Sequence, residues 1–111
     1  MDIKRLTDQI SVGQQIVAND LTELRDKGFR AVVCNRPDGE GGDQPTFQEL
    51  ANEAERLGLE MRYLPVVGGK VSDSDAAEFG AVMAQLPKPV FAYCRTGTRS
   101  TTLWSLSEAK E

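Results

Sequence analysis

Four short candidate strands alternate with helical stretches along this chain, and that alternation restricts the architecture more than any other feature. The candidate strands are residues 10–15, 31–34, 61–67 and 89–93. Between them lie stretches with helical signals. One starts near Asn19, carries Leu21, Leu24 and Phe29, and stops at Gly28. A second opens on Thr46 with Glu49 three residues on, a capping box, and carries Phe47, Leu50, Ala51, Ala54 and Leu57 on one stripe before Gly58. A third opens on Ser72 with Asp75 and presents Ala76, Phe79, Val82, Met83 and Leu86, with Pro87 and Pro89 at its stop. A last one starts at Ser100 and runs to Leu106, with Trp104 packing beside Leu103 or Leu106; 108–111 is expected to fray. Strands joined by helices of this length pair in parallel through right-handed crossovers. The fold class is therefore α/β, a small mostly parallel sheet flanked by helices.

The chain has 111 residues, 40% of them apolar and only 6% aromatic, which predicts one domain over 1–111 with a core of Val, Leu, Ile and Ala. A net charge of −4 argues against nucleic acid as a partner, because phosphate-backbone binding needs clustered surplus Lys and Arg. No apolar run has the length of a membrane span, and the first ten residues lack the apolar segment of a signal peptide. The expected location is cytoplasmic, with no membrane partner. There Cys34 and Cys94 are expected as free thiols. The chain contains no histidine, which removes Ser-His-Asp and Cys-His hydrolysis. Neither a metal nor a cofactor is expected.

The chemistry is concentrated at Cys94-Arg95-Thr96-Gly97-Thr98-Arg99-Ser100, after an apolar strand and before a helix. Open α/β sheets bind ligands at the carboxyl ends of their strands. Gly97 allows successive N–H groups to turn inward and form an anion nest, and the following helix adds positive potential from its N-terminus. A cysteine in such a setting titrates at roughly 3.5–7.5 instead of about 8.5, so no base is needed to make the thiolate. Arg99 is expected to fork two N–H groups onto a bound oxyanion, Arg95 to steer it in, and the Ser100 hydroxyl to donate to the sulfur. Arg36 and Asp38, after the end of another strand, are expected at the rim. The glycine-rich loop 38–43 is the stretch expected to be mobile.

The loop CRTGTRS resembles the active-site loop of rhodanese-type sulfurtransferases. The stretches ISVGQQ, DLTELRDKGFRAVVCNRPDGE and YLPVV, with the loop and TLW after it, resemble a bacterial phosphatase-like family found beside or fused to beta-lactamase-hydrolase-like proteins. That resemblance runs from about residue 10 to 106. It implies a fold like the dual-specificity phosphatases, that is, a cysteine-phosphatase architecture. It also implies a persulfide-oxidising enzyme as neighbour or fusion partner.

Two departures from the phosphatase pattern set the functional expectation. Cysteine phosphatases place one more residue between cysteine and arginine than the four here, Arg95 to Thr98. One residue fewer removes up to ~3.5 Å of loop contour, which suits a persulfide better than a phosphate. The aspartate that protonates the leaving alkoxide in phosphatases falls here on Gly68, and their histidine before the nucleophile is Tyr93. The leading expectation is therefore sulfur transfer by double displacement: a small anionic sulfur donor, a Cys94 persulfide and a thiol acceptor. The alternative is a phosphatase working through a Cys94 phosphocysteine. A third reading is a non-catalytic anion- or persulfide-sensing module. Cys34 is expected to be a small core residue rather than a redox partner of Cys94.

Overall fold

The computed structural model describes residues 1–109. Its nine elements are β1 (Ile3–Arg5), β2 (Ile10–Gly13), α1 (Ala18–Asp26), β3 (Ala31–Cys34), α2 (Phe47–Arg56), β4 (Glu60–Tyr63), α3 (Asp73–Gln85), β5 (Val90–Tyr93) and α4 (Thr98–Ala109). The strands form one sheet in the order β1-β2-β5-β3-β4. β2, β5, β3 and β4 run parallel, as the alternation predicts, and β1 pairs antiparallel with β2 at the edge. Ile3-Lys4-Arg5 offers one apolar residue in three, too little pattern for periodicity to register.

β3 and β5 lie in the middle and every residue in them is buried. The sheet therefore separates two apolar clusters. One gathers Ile10, Val12, Val33, Phe79, Leu86, Ala92 and Leu103, on the side of α3 and α4. The other gathers Ile16, Leu21, Leu24, Val32, Leu50, Phe91 and Tyr93, on the side of α1 and α2. Alternate residues of β3 and β5 divide between the two, as the period of two in a strand requires. Trp104 packs at the margin of the first cluster, partly buried.

The helix starts follow the capping pattern. Thr46 Oγ1 accepts from the Glu49 N–H at 3.1 Å. Ser72 and Asp75 form a full capping box, each side chain accepting from the other's backbone N–H. The expected strand 61–67 is shorter at its C-terminal end. Its ladder stops at Tyr63, because Pro65 has no N–H to contribute; Leu64 and Val66 then bond singly to the Cys34 and Asn35 carbonyls at 2.8 and 3.0 Å. The last helix begins two residues earlier than its apolar pattern suggests, and that shift matters for the site. Of the stretch 108–111 expected to fray, Glu108 and Ala109 are helical and the last two residues lie outside the described residues. No helix among the described residues is long and apolar enough to cross a membrane.

Candidate active site

Cys94 follows β5 directly, and α4 starts four residues later, so its sulfur sits where a strand end meets a helix N-terminus. The Thr101 N–H bonds to the Gly97 carbonyl at 3.0 Å, which makes Gly97 the last residue before the helix. The N–H groups of the first helical turn have no partner within the helix. Here the sulfur accepts from two of them, Arg99 and Ser100. The Gly97 N–H lies 3.0 Å from Cys94 Sγ, and the N–H groups of Ser100, Thr96 and Arg99 also converge on it. Burial pushes the thiol up, and these four donors outweigh it, so the Cys94 pKa falls below the ordinary thiol value. Gly97 is required twice over. Its φ is +94°, and a Cβ there would stand 3.3 Å from the Gly13 carbonyl oxygen.

A buried polar cluster holds the strand ends around this loop. The Asn35 N–H bonds to the Tyr93 carbonyl at 2.8 Å, and Asn35 Nδ2 to the Leu64 carbonyl at 3.0 Å. Ser100 Oγ donates to Asn35 Oδ1 at 2.8 Å. This corrects the expected role of Ser100: its backbone N–H serves the sulfur, and its hydroxyl anchors α4 to the end of β3.

Arg99 is aimed as expected, but its oxyanion is internal. Its Nη1 donates to Glu40 Oε2 at 2.8 Å and its Nη2 to Glu40 Oε1 at 2.7 Å, a bidentate pair, while Nη1 also donates to the Val66 carbonyl at 2.9 Å. Arg36 Nε reaches the same Oε1 at 2.9 Å, and its Nη1 donates to Gln15 Oε1 at 3.1 Å. The hydrogen bond from Arg99, with help from Arg36, holds the Glu40 carboxyl down at about 2. Glu40 lies in the 38–43 loop expected to be mobile. Two arginines grip that loop, and Gln44 ties it by bonding to the Pro37 carbonyl and the Gly41 N–H. Nothing in a glycine-rich turn marks Glu40 as a site residue; its partner lies 59 residues away.

A cleft of about 560 Å³ opens beside the loop, lined by Arg36, Glu40, Gly41, Val67, Gly68, Arg95 and Arg99. Arg36 and Arg95 thus stand at the site, while Thr96 and Thr98 face a separate cleft of about 410 Å³ that also touches Gly97 and Lys4. Asp38 serves α2: its Oδ1 accepts from the Phe47 N–H at 2.8 Å, and its own N–H bonds to the Tyr63 hydroxyl. Gly68 lies over the arginine. A Cβ placed on it would come 3.7 Å from Arg99 Nε, so a side chain at this position would reach the site, and glycine supplies none. Cys94 itself is 1% exposed.

Cys34 and Tyr93 stand opposite each other in the β3–β5 register and belong to the core on the α1 and α2 side. Burial raises the Cys34 thiol, and its Sγ bonds to the Arg36 carbonyl at 3.3 Å. Burial and the neighbouring Cys34 raise the Tyr93 phenol, so it stays protonated. The two cysteines are therefore pushed in opposite directions.

A sheet of this order with a cysteine of lowered pKa cradled at the N-terminus of the helix after its central strand defines a cysteine-phosphatase-like α/β domain. The family model for the phosphatase-like domain of beta-lactamase hydrolase-like protein matches residues 2–111, and the chain belongs to that family. A beta-lactamase hydrolase-like protein of Agrobacterium fabrum is 33% identical over 109 residues, which cover 98% of this chain and 25% of that protein. The chain therefore spans about a quarter of that relative's length. A crystal structure of a "putative phosphatase" from Neisseria meningitidis superposes with a TM-score of 0.91 at 32% identity, covering 98% of this chain and 78% of that one. The core catalytic domain of the PP-IP phosphatase Siw14 from S. cerevisiae superposes at 0.72 with 14% identity, covering 91% and 60%, a likeness of fold. The family model and the two solved structures bear phosphatase names, and none of these relatives speaks for the leading expectation of sulfur transfer.

Proposed function

We propose that this domain is a phosphoric monoester hydrolase working by double displacement through Cys94. The observation that carries this reading is the convergence of four backbone N–H groups on Cys94 Sγ, with the Arg99 guanidinium interacting with it as well. The thiolate attacks phosphorus, and the bond to the leaving oxygen breaks. The leaving group departs with that electron pair. The loop N–H groups and Arg99 hold the non-bridging oxygens as charge builds on them. Water then attacks the phosphocysteine, releases phosphate and restores the thiolate.

The site restricts the leaving group. Gly68 offers no carboxyl, and Glu40 is ionised down to about 2, so it brings no proton near neutral pH. Aryl phosphates and phosphoanhydrides, whose leaving groups depart as stable anions, should react well; alkyl phosphates should react poorly.

The same observation favours a second reading, sulfur transfer, because sulfite also leaves thiosulfate without an acid. There the thiolate attacks the outer sulfur, the S–S bond breaks, and an acceptor thiolate later removes the sulfur from the Cys94 persulfide. Turnover of an aryl phosphate and of thiosulfate with cyanide, each with wild type and Cys94→Ser, tests both. Cys94-dependent phosphate release with no thiocyanate supports the first reading. Cys94-dependent thiocyanate with no phosphate release overturns it in favour of the second, and inactivity on both overturns the two together.

A further inference from the structure

Three arginines, Arg36, Arg95 and Arg99, line one cleft that holds a single carboxylate, Glu40, in a chain whose net charge is −4. The carboxylate is shared. Arg99 takes both of its oxygens, and Arg36 takes Oε1 as well. An oxyanion that occupies the Arg99 fork must displace Glu40 from it, which leaves the carboxylate only its Oε1 contact with Arg36 Nε. The bound oxyanion also repels that carboxylate, and once Glu40 swings out of the cleft Arg36 loses its charged partner. Its side chain is only 9% exposed, and what remains to it is the neutral Gln15 amide oxygen at 3.1 Å. A guanidinium shielded from water and left without an anion is costly. Arg95, on the open side of the same cleft, makes no ion pair among the described residues.

We infer that the cleft takes a small molecule with two anionic groups, one in the Cys94 loop on Arg99 and a second between Arg36 and Arg95, and that together they displace Glu40. This deepens the phosphatase reading and rests on it for the identity of the first group only. A diphosphate has the required chemistry: two linked oxyanion groups, each able to accept paired N–H donors from a guanidinium. The cleft of about 560 Å³ is open enough for both. Glu40 stands in for the second anion as well as the first.

The test is protection of Cys94 from iodoacetamide, followed by mass spectrometry at constant ionic strength, with pyrophosphate and orthophosphate as probes. Pyrophosphate should half-protect at a concentration at least about tenfold lower than orthophosphate, since it gains a second charge-assisted pair. In Arg95→Ala that advantage should shrink several-fold. In Glu40→Gln both anions should protect better, because the internal competitor is gone. Equal protection by the two probes, or an advantage untouched by Arg95→Ala, would overturn the second subsite. Weaker protection in Glu40→Gln would overturn the displacement. Because the readout is binding, it stands apart from turnover: a protein that prefers pyrophosphate and releases no phosphate from aryl esters keeps the two-anion cleft and loses the phosphatase reading.

Discussion

Ser100 gives its hydroxyl proton to Asn35 Oδ1, 2.8 Å away and 65 residues earlier in the chain. Both residues are fully buried, and Asn35 donates from its backbone N–H to the Tyr93 carbonyl and from Nδ2 to the Leu64 carbonyl. Asn35→Ala should therefore unpair several buried groups at once, at about 1–3 kcal/mol for each left unsatisfied. Urea unfolding should show a lower midpoint with an unchanged slope. The Cys94 alkylation midpoint should rise, because the loop loses its anchor to β3.

The two cysteines should titrate on opposite sides of an ordinary thiol. The four N–H donors lower Cys94 against the opposing effect of burial, and burial raises Cys34. A lowered pKa means the thiolate is present above that value and is lost only as pH falls through it. Alkylation of Cys94 should thus reach its plateau at a lower pH than any exposed thiol, while Cys34 should stay unreactive at that pH. Peptide mapping across a pH series reads both rates in one sample.

Gly68→Asp should add the missing acid. Its Cβ meets nothing closer than 3.7 Å, so the substitution fits without displacing Arg99. Positioned acids contribute about 10²–10⁴-fold, and an unevolved one should reach the lower end of that range. The gain should fall on alkyl phosphates, with little change for aryl phosphates, and should disappear at high pH as the new carboxyl ionises. An equal effect on both ester classes would mean that the leaving group is not where Gly68 looks.

Gly97→Ala should disarm the loop. Alanine at φ +94° is strained by about 1–3 kcal/mol, and its methyl group would press on the Gly13 carbonyl at 3.3 Å. The expected outcome is a folded protein, by circular dichroism, with a Cys94 pKa shifted back up and at least about tenfold slower alkylation at neutral pH.

The sequence made the parallel core of the sheet legible because β3 and β5 are continuous apolar runs and α2 and α3 carry capping pairs. It made Cys94, Gly97 and Arg99 legible because a nest at a strand–helix junction needs those residue types in that order. Gly68 was read as an absent carboxyl, and it lies beside Arg99. Glu40 was not, because its role depends on a contact 59 residues distant, and local turn chemistry explains Pro37 to Gly42 without it. Asn35 was hidden for the same reason. A polar residue after a strand reads as a turn former until the fold buries it among three strand ends. Ser100 was assigned the right place and the wrong atom, since spacing brings a residue to the sulfur and cannot say whether its hydroxyl or its backbone N–H faces it.

The most direct test of the account is mass spectrometry of protein quenched in acid during turnover of an aryl phosphate, beside Cys94→Ser. The account predicts one added phosphoryl group on the Cys94 peptide, absent from the variant and lost as phosphate appears. Phosphate release with no adduct on Cys94, or release that survives Cys94→Ser, would contradict it.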